Sequence, residues 1–326
     1  MFLPFEPVAP AAPRRLLHWA ALGLAFAAGT PAPAAADNEQ SDPSRLAARA
    51  LLLDITRAGD RFFAVGDRGH VVVSADDGNS WTQCITPTRA MLTGVAFADA
   101  SHGWAVGHDG VIISTGDGGK TWRRQDDGKE LDTVYLDVFF YDARHGFVVG
   151  AYGKLLVTRD GGQTWTTTRA SEEDVHFNRI SADANGHLFL AGEAGTILVS
   201  RDRGETWKRA GVPYEGSLYG VRPLSGGALV AYGLRGHIFV STDDGDSWEE
   251  RESEARVLIM GGERVREGVV VLAGQGGNFL ISRDSGRSFH HWKPEDFGTS
   301  VADLVAAKDG AVITVGEAGA VKLKLP

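Results

Sequence analysis

From Leu51 onward the chain alternates short apolar runs with polar turns rich in Gly, Asp and Ser. In residues 92–125 the apolar runs are Leu92–Phe97, Trp104–Val106, Val111–Ser114 and Trp122–Gln125. The turns between them are Asp99–Gly103, Gly107–Gly110 and Thr115–Lys120. Runs this short match strands rather than helices, and Gly/Asp/Ser clusters bound strands. Glycine supplies the positive φ that tight turns need, and Asp, Ser and Thr side chains bond nearby turn amides. The pattern therefore predicts a four-stranded antiparallel meander.

That unit repeats. A glycine pair spaced by two residues recurs at Gly66/Gly69, Gly107/Gly110, Gly150/Gly153, Gly192/Gly195, Gly233/Gly236, Gly274/Gly277 and Gly316/Gly319. Successive first glycines lie 41, 43, 42, 41, 41 and 42 residues apart. A second motif, Ser/Thr-x-Asp-x-Gly-x-Ser/Thr-aromatic, follows the first six pairs in phase. Its aspartates are Asp76, Asp117, Asp160, Asp202, Asp243 and Asp284, and its aromatics run from Trp81 to Phe289. Because the aspartates recur in phase through six units, their role should recur too, which makes them structural turn residues rather than catalytic acids. The aromatic supplies an apolar plate between neighbouring sheets.

Four strands per period of about 42 residues mark a blade of a β-propeller. The predicted fold is all-β: a seven-bladed β-propeller of four-stranded antiparallel blades over residues 37–326. The last repeat has strand patterns near Ser300–Ala306, Ala311–Val315 and Ala320–Leu325 but no aspartate motif. Closure by pairing of N- and C-terminal strands is predicted, with Gln40–Ala47 supplying the missing strand and removing an exposed edge. Pro43 is tolerable on such an outer strand.

Residues 14–36 have a different texture. Arg14 and Arg15 precede an apolar stretch, Leu16–Ala28, and small residues follow. This is the pattern of a secretory signal peptide, predicted to span residues 1–36 with cleavage near Ala36. The stretch is too short for a membrane span. The prediction is an exported protein, periplasmic, lumenal or extracellular, touching a membrane only through its partner or an uncleaved signal. Residues 37–326 number 290 and carry a formal charge of −10, against −9 for the whole chain. That acidic balance argues against nucleic acid or an anionic membrane surface as the main partner. The single cysteine, Cys84, cannot close an intramolecular disulfide, and its place in a predicted strand makes it a small core residue.

The blades resemble those of the photosystem II stability/assembly factor family, which carries the Asp-box (bacterial neuraminidase) repeat. The resemblance rests on Val106-Gly107 through Trp122, on Val149-Gly150 through Trp165 and on Gly274 through Phe289, and covers residues 51–326. It implies a non-catalytic exported scaffold that binds proteins as an assembly, stability or accessory factor for a membrane complex. In a host without photosynthesis it implies a link to an envelope transporter. The Asp box also occurs in sialidases and other glycosidases, so a carbohydrate-active or glycan-binding propeller is the alternative. A sialidase needs an arginine triad with a Tyr/Glu pair, and its Arg-Ile-Pro signature is absent; Tyr214 and Tyr219 near Glu215 are the only suggestive set. The neighbours His290, His291, Glu295 and Asp296 fit no standard ligand spacing, so no metal and no cofactor are predicted. The chain is expected to be a monomer.

In such a meander the glycine-pair hairpins and the inter-blade loops share one face. Their varied side chains are the candidate partner-binding surface: Asp67, Arg68, His108, Asp109, Tyr152, Glu193, Arg235, Gln275 and Glu317 from the hairpins, with Arg89 and Arg256 from the loops. Asp127, Lys129, Glu173, His176, Tyr214 and Glu295 are further loop positions on that face. Varied loops on a rigid scaffold are the usual way a binding site is made.

Overall fold

The computed structural model describes residues 40–126 and 131–326. The signal segment predicted for residues 1–36, and Asp127 and Lys129 of the candidate face, lie outside the described residues. Seven antiparallel sheets follow one another along the chain, each in simple up-and-down order. Blade 1 is Leu52–Ala58, Arg61–Gly66, Val71–Ser74 and Thr82–Cys84. The first strands of blades 2 to 7 are Leu92–Phe97, Tyr135–Phe140, Phe177–Ala182, Leu218–Pro223, Ile259–Arg266 and Val301–Ala306. Each packs beside the first strand of the next blade, and the last packs beside the first, so the seven line the inside of a ring. The fold is a seven-bladed β-propeller; its only helical pieces among the described residues are short 3-10 turns.

The core is a ring of seven apolar clusters, one at each blade junction. The junction of blades 1 and 2 holds Phe63, Val65, Leu92, Ile113 and Trp122; that of blades 4 and 5 holds Phe189, Val199, Leu218, Phe239 and Trp248. The motif aromatic supplies a plate at six junctions: Trp122, Trp165, Trp207, Trp248, Phe289 and Trp81. Blade 7 has no such motif, and at its junction with blade 6 Trp292 and Phe297 pack in that place. Phe63 is fully buried; truncating such a side chain to Ala costs about 3–5 kcal/mol.

Closure differs from the expectation. Among the described residues blade 7 has three strands, Val301–Ala306, Val312–Gly316 and Gly319–Leu323. Gln40–Ala47 lies instead along blade 1. Ser41 N donates to Thr86 O at 2.9 Å, and Arg89 donates to Gln40 O and to the Asp42 carboxylate. Bonds between Gln40, Ser41, Asp42 and Ser44 and residues 83–89 hold this segment against blade 1 without a strand. The ring is closed by side chains: Leu52, Ile55, Phe62 and Val72 of blade 1 interdigitate with Val305, Ile313 and Val315 of blade 7.

Candidate functional site

The two ends of the ring are built by different turns. In each glycine-pair hairpin the second glycine presses against an inter-blade loop: Gly110 N donates to Thr133 O, Gly153 N to Val175 O and Gly195 N to Gly216 O. A Cβ on Gly195 would lie 1.8 Å from Tyr214 O, and one on Gly236 would lie 1.7 Å from Ala255 O. Glycine is thus required where hairpin and loop meet. The residue before it takes a left-handed backbone and points outward. These residues are Arg68 (φ 54°), Asp109 (57°), Tyr152 (55°), Ala194 (51°) and Arg235 (57°), with Gly276 in the sixth hairpin. A left-handed non-glycine residue costs about 1–2 kcal/mol.

The candidate residues lie where the hairpins and loops place them. Arg68, Asp109, Tyr152, Arg235, Gln275, Glu317, Arg89 and Arg256 are exposed; Asp67, His108 and Glu193 are half-buried. Tyr152 is 75% exposed and stands edge-on to His176, 4.9 Å between ring centres. Glu193 accepts from His176 N, and Glu317 accepts from Ser300 N, so both acids also tie hairpin to loop. Arg89 is engaged by the N-terminal segment. Arg235 and Arg256 come together in a groove of about 800 Å³ with His237, Glu250 and Glu252. The other hairpin residues stand apart around the ring.

At the opposite end the aspartate motifs form closed hydrogen-bond rings. Asp202 accepts from Thr206 N at 2.9 Å, from the Thr206 hydroxyl and from Ser200 Oγ at 2.8 Å, and Ser200 Oγ accepts from Gly204 N. The other five motifs repeat this pattern. The hydroxyl and amide of the following Ser or Thr hold Asp76, Asp160, Asp202 and Asp243 at a pKa of about 2. Asp117 is lowered by the same bonds from Thr121; Asp284, against some desolvation, is brought to about 2 by Ser288. Cys84 is half-buried, and burial pushes its thiol up to about 11.

The structure adds a cluster that sequence reasoning missed. The third residue of each first strand follows a bulge and faces the channel: Asp54, Gly94, Asp137, Arg179, Gly220, Gly261 and Asp303. Arg179 crosses the ring to bond Asp303 Oδ1 at 2.8 Å and lies 3.5 Å from Asp54 Oδ1. Asp54 also accepts from Val95 N, and Asp137 from Val138 N and Ile180 N, so each acid ties its blade to the next. Arg222 donates to Gly262 O and pairs with Glu263 at 3.6 Å. Burial, reinforced by Asp303, raises the Asp54 carboxyl well above its ordinary range, and burial raises Asp137 to about 6 despite Arg179. A small cavity of about 230 Å³ opens onto these groups. The signal was present: aligning the repeats puts Asp, Gly or Arg at one inward position flanked by core residues.

Comparison with known proteins follows the same blades. The family model described as photosynthesis system II assembly factor YCF48 matches residues 74–132 and 127–324. The photosystem II assembly protein Ycf48 of Thermosynechococcus vestitus is 38% identical over 52 residues, 16% of this chain and 15% of that one. The chloroplastic photosystem II stability/assembly factor HCF136 of Cyanidioschyzon merolae is 43% identical over 47 residues, 14% and 11% of the two chains. The matched stretches thus span less than a sixth of either curated relative. A solved structure described as YCF48 bound to D1 peptide superposes with a TM-score of 0.69 at 18% identity, covering 85% of this chain and 93% of that one. YCF48 from Cyanidioschyzon merolae gives 0.69 at 17%, covering 84% and 96%. The WD40 propeller domain of Doa1 gives 0.67 at 12%, covering 88% and 95%, so the superpositions establish the fold alone. With the family model matching well over half of the chain, from residue 74 to residue 324, the chain belongs to the photosynthesis system II assembly factor YCF48 family.

Proposed function

We propose that this chain is an exported, non-catalytic scaffold that binds a protein partner at its glycine-pair face, as an assembly or stability factor for a membrane complex. Membership of the YCF48 family supports the assembly role, and one relative of the same fold is described as bound to a D1 peptide. The arginine pair and apolar stretch of residues 14–36 support export to the periplasm or lumen, with cleavage near Ala36. In a host without photosynthesis the client is an envelope transporter. The protein works as a monomer, without cofactor.

The observation that carries the choice of face is Tyr152. It is a large aromatic, 75% exposed, held in a left-handed turn that glycine would satisfy without strain. Gly276 fills the equivalent turn of blade 6. Strain kept at exposed positions points to function, and exposed aromatic and arginine side chains are typical interface anchors. Elsewhere on the same face Arg68, Arg235 and Arg256 supply exposed cations, and Asp109 and Glu317 exposed anions.

The test is a tagged pull-down of the protein from its native envelope, with mass spectrometry of what co-purifies. Reproducible recovery of a membrane complex, lost in Tyr152→Ala, is the expected result. Recovery of no partner, or of a partner indifferent to Tyr152→Ala and to charge reversal at Arg68 and Arg235, would overturn the proposal.

A further inference from the structure

Three blades share a turn in which an aspartate braces a histidine between the first and second strands. In blade 2, Asp99 accepts from the backbone of His102 and its second oxygen bonds His102 Nδ1 at 2.8 Å. In blade 3, Asp142 does the same for His145, at 3.0 Å. Both histidines spend Nδ1 on their own aspartate, and both turns are complete in themselves.

Blade 4 breaks the pattern. Its turn is one residue longer, so Asp183 braces the backbone of His187 four positions on. His187 Nδ1 still lies 2.9 Å from Asp183 Oδ2, yet it is buried and has no hydrogen-bond partner. The extra residue has turned the ring nitrogen out of alignment with its aspartate.

The residue facing that turn from the next blade also differs. The position after each motif aspartate is Asp77, Gly118, Gly161, Arg203, Asp244 or Ser285. The blade 2 turn has glycine as its counterpart in blade 3 and the blade 3 turn has arginine in blade 4. The blade 4 turn meets Asp244, whose carboxylate reaches the same spot. One donor atom from each of Asp183, His187 and Asp244 lies within 4.8 Å of the others. All three side chains are half-buried. Arg201 donates to the Asp246 carboxylate and the Asp244 carbonyl, and Arg203 stacks over Tyr141, so neither takes the Asp244 carboxylate. Gly227 Cα backs it closely: a Cβ there would lie 2.7 Å from Asp244 Oδ1.

We infer that Asp183, His187 and Asp244 form a divalent-cation site that links blades 4 and 5. One imidazole nitrogen and two carboxylate oxygens suit a borderline first-row ion such as Zn²⁺, with bonds of about 2.0–2.2 Å and water completing the shell. The ion takes the lone pair of neutral His187 Nδ1 and offsets the repulsion of two carboxylates. Bound there, it cross-links a turn of one blade to a turn of the next. The sequence did not show it, since Asp244 is 57 residues from His187 and the predicted metal ligands were none.

The test is calorimetric titration of the tag-free protein with Zn²⁺, alongside thermal melting with and without the ion. The parent should take up one equivalent and melt higher with Zn²⁺ present. His187→Ala and Asp244→Asn should each lose that equivalent and the rise in melting temperature, while melting as the parent does without metal. His145→Ala, which alters the sibling turn, should keep both. Absence of binding by the parent would overturn the site. So would binding that survives both His187→Ala and Asp244→Asn, or that is lost equally in His145→Ala.

Discussion

Arg179 is the group on which the channel cluster turns, and Arg179→Met is the informative change. Methionine keeps the length and removes the charge. Asp54, Asp137 and Asp303 are then left 5%, 7% and 3% exposed, without the cation that bonds Asp303 and neighbours Asp54. Removing one partner of a buried pair costs about 3–5 kcal/mol. The lower end applies, because the side chain is 15% exposed and the carboxyls can take up protons. At about 2–4 °C per kcal/mol for a large domain, that is a fall in melting temperature of about 6–12 °C at pH 7. The sign with pH follows from the raised carboxyls. A group whose folded pKa is raised contributes stability below its ordinary value of 3.8, and loses it as pH rises through the folded value, about 6 for Asp137. Arg179 lowers both Asp54 and Asp137, so its loss raises them further and deepens the penalty at neutral pH. The assay is thermal melting of parent, Arg179→Met and Arg179→Met/Asp303→Asn at pH 5 and pH 7. The single variant should lose less at pH 5, and the double should recover part of the loss at pH 7. A shift under about 2 °C at pH 7, or an equal loss at both pH values, would refute the reasoning.

Other outcomes follow from the same geometry. Asp284→Ala removes an acceptor of three hydrogen bonds from Ser282 and Ser288, and should cost about 1–2 kcal/mol, read as a shift in urea midpoint. The turn carboxylates have folded values lowered to about 2 from 3.8. Their contribution is therefore present above pH 3.8 and lost as pH falls toward 2, so circular dichroism should show acid unfolding in that window rather than near pH 5. A broad glycan panel should show no turnover; hydrolysis abolished by changing one channel or mouth carboxylate would move the function to the carbohydrate-active class.

The sequence made the blades legible because their causes are local. Gly66 to Gly319 mark positions where a Cβ would meet a loop carbonyl or backbone. The aspartate motif is a closed hydrogen-bond ring within seven residues of chain, Ser200 to Thr206 in blade 4, so its spacing survives in every copy. Closure was less legible, since Gln40–Ala47 bonds residues 83–89 through Arg89 and Thr86 rather than through a strand pattern. The channel charges were missed for a related reason. Arg179 and Asp303 are 124 residues apart and meet only once the ring has formed. For the candidate face, the hairpin positions could be named from sequence, but not the left-handed backbone that turns Tyr152 and Arg235 outward.

The measurement that bears most directly on the central claim is a comparison of faces in one pull-down from the native envelope. Arg68→Glu/Arg235→Glu alters the glycine-pair face, and Lys120→Glu alters an exposed position in the aspartate turn of blade 2 at the other end. Loss of the membrane partner in the first variant with retention in the second is the predicted result. Retention in the first with loss in the second would place the partner on the opposite face and contradict the account.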